Sequence, residues 1–469
     1  MNKNSAIATT KLREKDGFKT FSFIMALATI AVMWVSFEFK DFDSITAWSL
    51  NIWDLIFSKD LGLKDFYPYT AQNLHGVLHQ YCQGNYVWLF PLSVWNFPLW
   101  LIVNLFDVSV VIGNPWCMIW SKLYFIGLHL ALAHVAYLIC NKLGVKSYLA
   151  PLLILVAPEI LISAEFAGQD EITYIFCVLL AIYFAMCDKW KLSYLCCVLA
   201  VSFCPIMLLP ATAIILYKEK KVVRVVLYEI GLLVPLMLFE VAYINDEIYQ
   251  IMKRVYSIGP FVEQLFPISN VNSAMGAVPL SIILIIFVLF FAYTRKTYEG
   301  KELLYIVTLV MVIISFGMDH YFYRTLIHVP FLIIVVVLNQ SMRNMNMFLM
   351  MLLMVSRAFW NLTVGVENVF NTCYVLRNSW MTKICDYFGS DRYTYYTCRN
   401  LLSYMEKVIP TWVYWIVVAV AYACVGLLLY CNYYKKEKAY EFDLNYKWSI
   451  TVCLFIMPVI IGAFWMILI

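Results

Sequence analysis

Long apolar runs recur along the whole chain, and the polar stretches between them fall into two kinds. The clearest runs cover residues 18–37, 116–140, 148–162, 172–186, 277–292, 411–431 and 448–469. Most approach the roughly 20 apolar residues that a helix needs to cross a bilayer. The pattern predicts an all-α polytopic membrane protein whose helices are joined by polar loops.

Charge divides the loops. Residues 141–146, 188–191, 218–224, 295–301, Arg343 and 435–438 are basic, and Lys3, Lys11, Arg13, Lys15 and Lys19 precede the first run. Lys and Arg mark the cytoplasmic side. The remaining connections, residues 40–85, 168–171, 245–274, 319–324 and 362–410, are longer or acidic and are expected outside. No small-residue cleavage site follows the first run, so it is expected to be the first span rather than a removed signal.

Two apolar stretches resist simple alternation. Residues 86–112 would, if they crossed, put the basic loop at Lys142 outside. Pro91 and Pro98 break that stretch, and Pro115 follows it. It is expected to be a kinked, membrane-embedded helix on the outer face. Residues 192–217 are basic at both flanks and divide at Cys204-Pro205 into two half-spans. With that pair included, alternation gives about thirteen crossings, the N-terminus inside and the C-terminus outside.

Composition agrees with the pattern. Hydrophobic residues make up 63% of the chain and charged residues 14%, with a mean hydropathy of +0.76. Soluble domains carry nearer one quarter charged residues. The net charge of +4 is small, and no nucleic-acid partner is expected. The 14 Cys form no CxxC pair, which gives no support to a zinc site. The spans read as almost free of charge at their centres, with Glu240 a mild exception. A transporter more often buries ionisable groups near the bilayer midplane.

Candidate chemistry gathers at span ends. Adjacent carboxylates in Ala167-Gly168-Gln169-Asp170-Glu171, between two apolar helices, are costly to place and call for a reason. A solvated helix N-terminus explains one of them. Asp41 and Asp43, directly after the first span, can share a divalent cation such as Mg or Mn, or one can take a proton from a nucleophilic hydroxyl. They can equally cap a helix over residues 44–57. His75 and His79 stand at i and i+4 with no third ligand in view. Ser269, Asn270 and Asn272 precede a span and can meet a sugar or a headgroup, or cap the helix. Asp319, His320 and Arg324 lie at another outer edge, where Arg can fork onto a phosphate. Cys373, Cys385 and Cys398 share the loop 362–410, and a second disulfide there would need Cys82.

These clusters, in this order, resemble the integral-membrane glycosyltransferases of the GT-C fold. More narrowly they resemble bacterial enzymes with a Trp-Gly-Gln-x-Asp motif that are distantly related to mannosyltransferases using polyprenyl-phosphate sugars. Asp41-Phe42-Asp43 with Trp48 resembles the acidic segment after the first span. Gly84-Asn85-Tyr86 to Pro91 resembles a Tyr-Pro-Pro helix with displaced prolines. Gly168-Gln169-Asp170-Glu171 resembles Gly-Gln-x-Asp, with Ala167 in place of Trp. Residues 203–210 keep the prolines of a Lys-Pro-Gln…Leu-Leu-Pro segment without its Lys. Ser269-Asn270-Val271-Asn272 resembles Ser-x-Asn-x-x-Asn, and Met318-Asp319-His320-Tyr321-Phe322 resembles His-Glu-Arg-Tyr-Phe.

The resemblance implies a GT-C-like bundle with a large first extracytoplasmic loop, residues 40–115, containing juxtamembrane helices. A catalytic module would cover residues 1–340. Residues 341–469, with the loop 362–410, would complete the scaffold. It implies transfer of a hexose from a polyprenyl-phosphate donor to a hydroxyl of a lipid-linked or cell-envelope glycan, outside a bacterial cytoplasmic membrane. Asp41 or Asp43 would be the base. Gln169, Asp170, Glu171, Ser269, Asn270, Asn272 and Asp319 would hold donor or acceptor, and His320 and Arg324 the lipid phosphate. No cofactor would be required and a divalent cation would be optional. The alternatives are a flippase or transporter for lipid-linked sugars, and a glycan polymerase or ligase, for which loop 362–410 with Arg377, Arg392 and Arg399 is the relevant stretch.

Overall fold

A computed structural model covers the chain. It describes residues 3–72, 82, 86–106, 114–256, 280–317, 326–363, 373–376, 395–397, 407–433 and 442–468. Among the described residues, six helices are long and apolar enough to cross a membrane, or eight if each of two bent pairs counts as one span. The protein is a multi-pass, helical membrane protein.

The first helix, α1 (Lys3–Ser36), runs into a short strand, β1 (Phe37–Phe39), and then α2 (Lys40–Phe57). After α3 (Phe66–Gln72) come α4 (Phe90–Leu105) and α5 (Pro115–Lys142). Pro115 occupies the first turn of α5, where its missing N–H costs nothing, and Asn114 accepts a hydrogen bond from Trp116 N at 3.1 Å. The next span is broken. α6 (Leu149–Val156) bends by 49° at Ala157-Pro158 into α7 (Pro158–Ile160), which passes into a π-helical turn (Leu161–Phe166). Helix α8 (Glu171–Met186) returns.

Helices α9 (Trp190–Phe203) and α10 (Leu208–Lys218) have 14 and 11 residues. At 1.5 Å per residue they reach only about 21 and 17 Å, against about 30 Å of hydrocarbon. They were expected as two crossings; each is shorter than a full span, and Lys218 at the end of α10 returns to Asp188 just before α9. Then follow α11 (Val222–Ala242), the amphipathic α12 (Glu247–Tyr256), α13 (Leu280–Thr294), α14 (Gly300–Gly317), α15 (Val329–Leu338), α16 (Arg343–Thr363), α17 (Thr411–Cys431) and α18 (Tyr446–Leu468). Helices α15 and α16 meet at a bend of 91°. The expected tally of about thirteen full crossings therefore gives way to fewer long spans accompanied by shorter apolar helices.

The basic loops gather at one end of the bundle. Lys218 Nζ lies 3.2 Å from Asp188 Oδ1 and 4.0 Å from the Tyr298 ring centre. A Cβ on Gly300 would touch Leu143 and Met186. Arg343 stacks on Tyr446 at 4.2 Å, and Lys19 and Lys447 approach Tyr148 and Phe18. Arg295 pairs with Glu302, which also accepts from the Tyr217 hydroxyl at 2.7 Å. Loops far apart in sequence thus share one face, as the charge pattern requires.

At the opposite end the chain builds a separate layer. Strand β1 pairs antiparallel with β2 (Cys373–Leu376), which pairs antiparallel with β3 (Tyr395–Thr397). Phe37 stands opposite Val375, and Tyr374 opposite Thr397. This small sheet, absent from the all-α expectation, ties loop 362–410 to the exit of the first span. Helix α4 belongs to the same layer. The hydroxyl of Tyr86, four residues ahead of it, lies 2.8 Å from that of Tyr243 just after α11, and its Asn96 accepts from Ser121 near the start of α5 at 3.1 Å. The first half of α4 is thereby tied to the end of α11 and to the start of α5, although the length and composition of residues 86–105 alone would let them cross. Pro91 and Pro98 do not break it: Pro91 sits in the first turn, and the helix continues through Pro98.

Candidate functional site

The turn between the π-helical segment and α8 is the centre of this layer. Residues 167–170 carry Gly168 with φ of 60°, a left-handed conformation that glycine adopts without penalty. A second constraint fixes the residue: a Cβ here would lie 2.4 Å from Phe42 Cδ2. The Phe42 ring therefore rests on the glycine, and its other edge meets Phe125 at 5.6 Å. The Gln169 N–H donates to Ser163 O at 2.9 Å, which folds the turn back onto the π-helical segment.

Asp41 and Asp43 flank Phe42. Helix α2 begins at Lys40, four residues before the expected start, so both aspartates lie inside its first turn rather than at a cap ahead of Ser44. The Phe42–Gly168 contact brings this turn beside Gly168-Gln169-Asp170-Glu171. The expectation was that the carboxylates of both segments face one shared cavity; the Phe42–Gly168 contact bears on the backbone of the two segments, and the Asp41 and Asp43 side chains lie outside the described residues.

The acidic turn is not a solvated helix end. Glu171 and Gln169 are buried, and Asp170 is partly buried. Asp170 stands at the N-cap of α8 but its side chain makes no capping hydrogen bond. It lies instead within electrostatic reach of the Cys82 thiol and of the Tyr124 phenol, whose oxygen is 3.2 Å from Thr173 Oγ1. Burial pushes the Cys82 thiol well above its ordinary range, and the Asp170 carboxylate adds to the shift. Cys82 is buried, and the pairing considered for it with the cysteines of loop 362–410 falls on side chains outside the described residues.

The support beneath the site is polar in an unexpected way. Lys122, fully buried on α5, donates to Met33 O at 3.2 Å and to Phe37 O. It thereby satisfies carbonyls where α1 ends and β1 begins, one turn before Asp41. Phe37 stacks on Phe166 at 4.6 Å. Ser49, Asn96 and Ser121 form a buried hydrogen-bonded seam between α2, α4 and α5. On the flank, Tyr243 bonds Leu63 O and Tyr86, and Tyr67 packs against Tyr243 and Tyr249 at 5.2 and 4.9 Å. This aromatic clamp holds the first outer loop to the end of α11.

The expectation that span centres lack charge needs amending at Glu159, beside the break of the bent α6–α7 span, and at His129, midway along α5. Lys122, His129, Glu159, Glu165 and Arg357 are all buried within apolar helices. His129 Nδ1 lies 2.5 Å from Glu165 Oε1. Arg357 covers the Trp360 ring at 4.6 Å and lies within electrostatic reach of Glu159 and His328. Each is a single polar letter inside an apolar run, which an averaged hydropathy hides; only the rule that intramembrane charges are functional by default points to them. Absence of midplane charge therefore no longer argues against a transporter.

Ser269, Asn270, Asn272, Asp319, His320 and Arg324, like His75 and His79, lie outside the described residues. Among the described residues, no group of three His, Cys, Asp or Glu side chains is placed to hold a metal ion. The chain matches no protein-family model and no curated protein.

Proposed function

We propose that the protein is a membrane glycosyltransferase of the GT-C type, working at the end of the bundle opposite its basic loops, on the extracytoplasmic face. The contact between Phe42 and Gly168 is the observation that carries this reading, because it sets the first turn of α2 beside the Gln169–Glu171 turn. A sugar transfer needs such a pairing. One carboxylate takes the proton of the acceptor hydroxyl, and a second group orients the hydroxyls around it. The acceptor oxygen bonds to the anomeric carbon as the bond from that carbon to the phosphate oxygen breaks. The polyprenyl phosphate leaves with the electron pair. Asp41 or Asp43 serves as the base, and Gln169, Asp170 and Glu171 orient the sugars. His320 and Arg324 meet the leaving phosphate, while Ser269, Asn270, Asn272 and Asp319 line the donor or acceptor. No metal is required of this arrangement, and Mg or Mn remains an optional aid.

The direct test supplies purified protein in nanodiscs with a polyprenyl-phosphate hexose and a glycolipid acceptor. The acceptor gains one hexose by mass spectrometry, and D41N or D43N, together with D170N or E171Q, abolishes the gain. Full activity in all four variants would end the assignment.

A transporter for lipid-linked sugars is the second reading, and His129, fully buried midway along α5, favours it, since proton-coupled carriers place ionisable groups there. Movement of the labelled lipid-linked sugar across the bilayer, with its mass unchanged, would decide for transport.

A further inference from the structure

The proposed reaction makes no use of His129 and Glu165. His129 lies midway along α5, Glu165 lies in the π-helical turn, and both side chains are fully buried. The ring touches one partner on each side. Nε2 is 2.9 Å from Ile154 O, and Nδ1 is 2.5 Å from Glu165 Oε1. A carbonyl only accepts, so Nε2 carries a hydrogen. An imidazole nitrogen and a carboxylate oxygen at that separation need a proton between them. The pair thus holds one proton more than a neutral ring beside a carboxylate. Its net charge is zero whichever atom the proton is nearer, and neutrality is what makes its burial tolerable.

Removing that proton changes two things together. A net negative charge remains in an apolar bundle, and two lone pairs face one another at hydrogen-bond distance. Both drive Glu165 away from His129. Glu165 sits on an element with somewhere to go. The π turn is closed by Ala167 N to Ile162 O at 2.8 Å, and π turns are rare wide turns that concentrate at functional positions. Tightening one to α register rotates the residues after it by about 100° relative to those before. Gly168 follows two residues after the π turn ends, and Gln169 N is bonded to Ser163 O within it.

The surroundings contribute no competing partner for the ring. Helices α4 and α6 carry no ionisable group, α1 has none beyond Lys19, and α15 starts after His328. Helix α5 adds Lys122, bound to carbonyls, and His134, which faces outward. Helix α2 adds Asp54, held by Trp100 and Tyr69, and carries Lys40, Asp41 and Asp43 in its first turn. Glu159 on α7, Glu171 on α8 and Glu38 on β1 adjoin the π turn. Among the described residues, Glu165 and Ile154 O are the groups that act on His129.

We propose that His129 and Glu165 form a proton-binding site inside the bundle, and that its loading and unloading set the position of the Gly168–Glu171 turn. The ligand is a single proton, released to solvent on unloading. The site serves a transferase and a transporter alike, so its fate is independent of either reading.

The test uses the full chain in phosphatidylcholine nanodiscs between about pH 5 and about pH 9, bracketing the ordinary histidine range. Nitrogen NMR of labelled histidine, with His129 identified by the signal lost in H129Q, reads the ring directly. Alkylation of Cys82 beside Asp170, counted by peptide mass spectrometry, reads the turn. E165Q is the reference, because its amide donates to Nδ1 at every pH and holds the loaded geometry. The expected result is an Nδ1 resonance that changes state with rising pH. Over the same range the wild-type alkylation rate rises severalfold relative to E165Q. If E165Q does not fold, H129Q replaces it as the pH-insensitive reference. An unchanging resonance, or a rate ratio flat across the range, overturns the proposal and leaves a purely structural pair.

Discussion

Phe42 and Gly168 are matched by shape: a Cβ on the glycine would stand 2.4 Å from Phe42 Cδ2, and the glycine φ of 60° is one that other residues adopt at a cost. One contact thereby joins the exit of the first span to the acidic turn. G168A is expected to destabilise the protein by about 2–4 kcal/mol, combining left-handed strain with overpacking. F42A should cost about 3–5 kcal/mol through its cavity. The double variant should cost less than the sum, because removing the ring relieves the steric part of G168A. Unfolding in detergent checks the cycle; strict additivity would mean that the two residues do not touch.

Cys82 reports the second joint, between the first outer loop and Asp170. Burial and the carboxylate both hold its thiol protonated, so alkylation at neutral pH is expected to be much slower than for a free thiol. D170N removes one of the two causes and should speed alkylation modestly, whereas a remote charge change should not. The linkage has a definite sign. A thiol whose folded value is raised stabilises the fold below its unfolded value near 8.5, and that contribution is lost as pH rises beyond it. Melting temperatures across alkaline pH should therefore fall less steeply in C82A than in the wild type.

Lys122 makes a prediction that its polarity alone would not. Its ammonium satisfies Met33 O and Phe37 O where α1 gives way to β1. K122M keeps the length of the side chain but leaves those carbonyls without their donor, at a cost of about 1–3 kcal/mol. The effect should be local. Limited proteolysis after the first span should accelerate, while cleavage in the basic loops stays unchanged. Equal acceleration at both ends would show that Lys122 supports the whole bundle rather than this junction.

Much of this architecture was legible because membrane insertion writes it into the sequence. The 167–171 junction stands out as carboxylates between apolar runs, and the basic loops meet at one end as their charge demands. Other features leave no local signature. Strand β1 finds its partner at residues 373–376, far along the chain, and three-residue strands carry no periodicity to recognise. Helix α4 continues through Pro98, although proline normally ends a helix. Helix α2 takes in Lys40 and Asp41, which look like loop, because the helix docks its apolar face on α4 and α5. Buried charges such as Arg357 were hidden for the opposite reason: one guanidinium among many apolar side chains barely changes a window average.

Arg357 and Glu159 supply the last expectation. The guanidinium is buried on α16 against Trp360, and Glu159 lies within its electrostatic reach across the α6–α7 break. Arginine stays charged under all ordinary conditions, so E159Q strands a cation in an apolar setting. The two groups interact at a distance rather than by a direct ion pair, so the cost is expected to fall below the roughly 3–5 kcal/mol of a contacting buried pair. Replacing both, as in E159Q/R357M, removes the stranded charge and should recover most of that loss, because an apolar side chain of similar volume suits the site. His328, the other group near Arg357, is unchanged in every variant and so does not enter the comparison. Thermal unfolding of the two single variants and the double variant measures the coupling. A double variant less stable than either single would mean that Arg357 answers to a partner other than Glu159, and the search for that partner would begin along α17, where Tyr414 and Tyr422 also act on it.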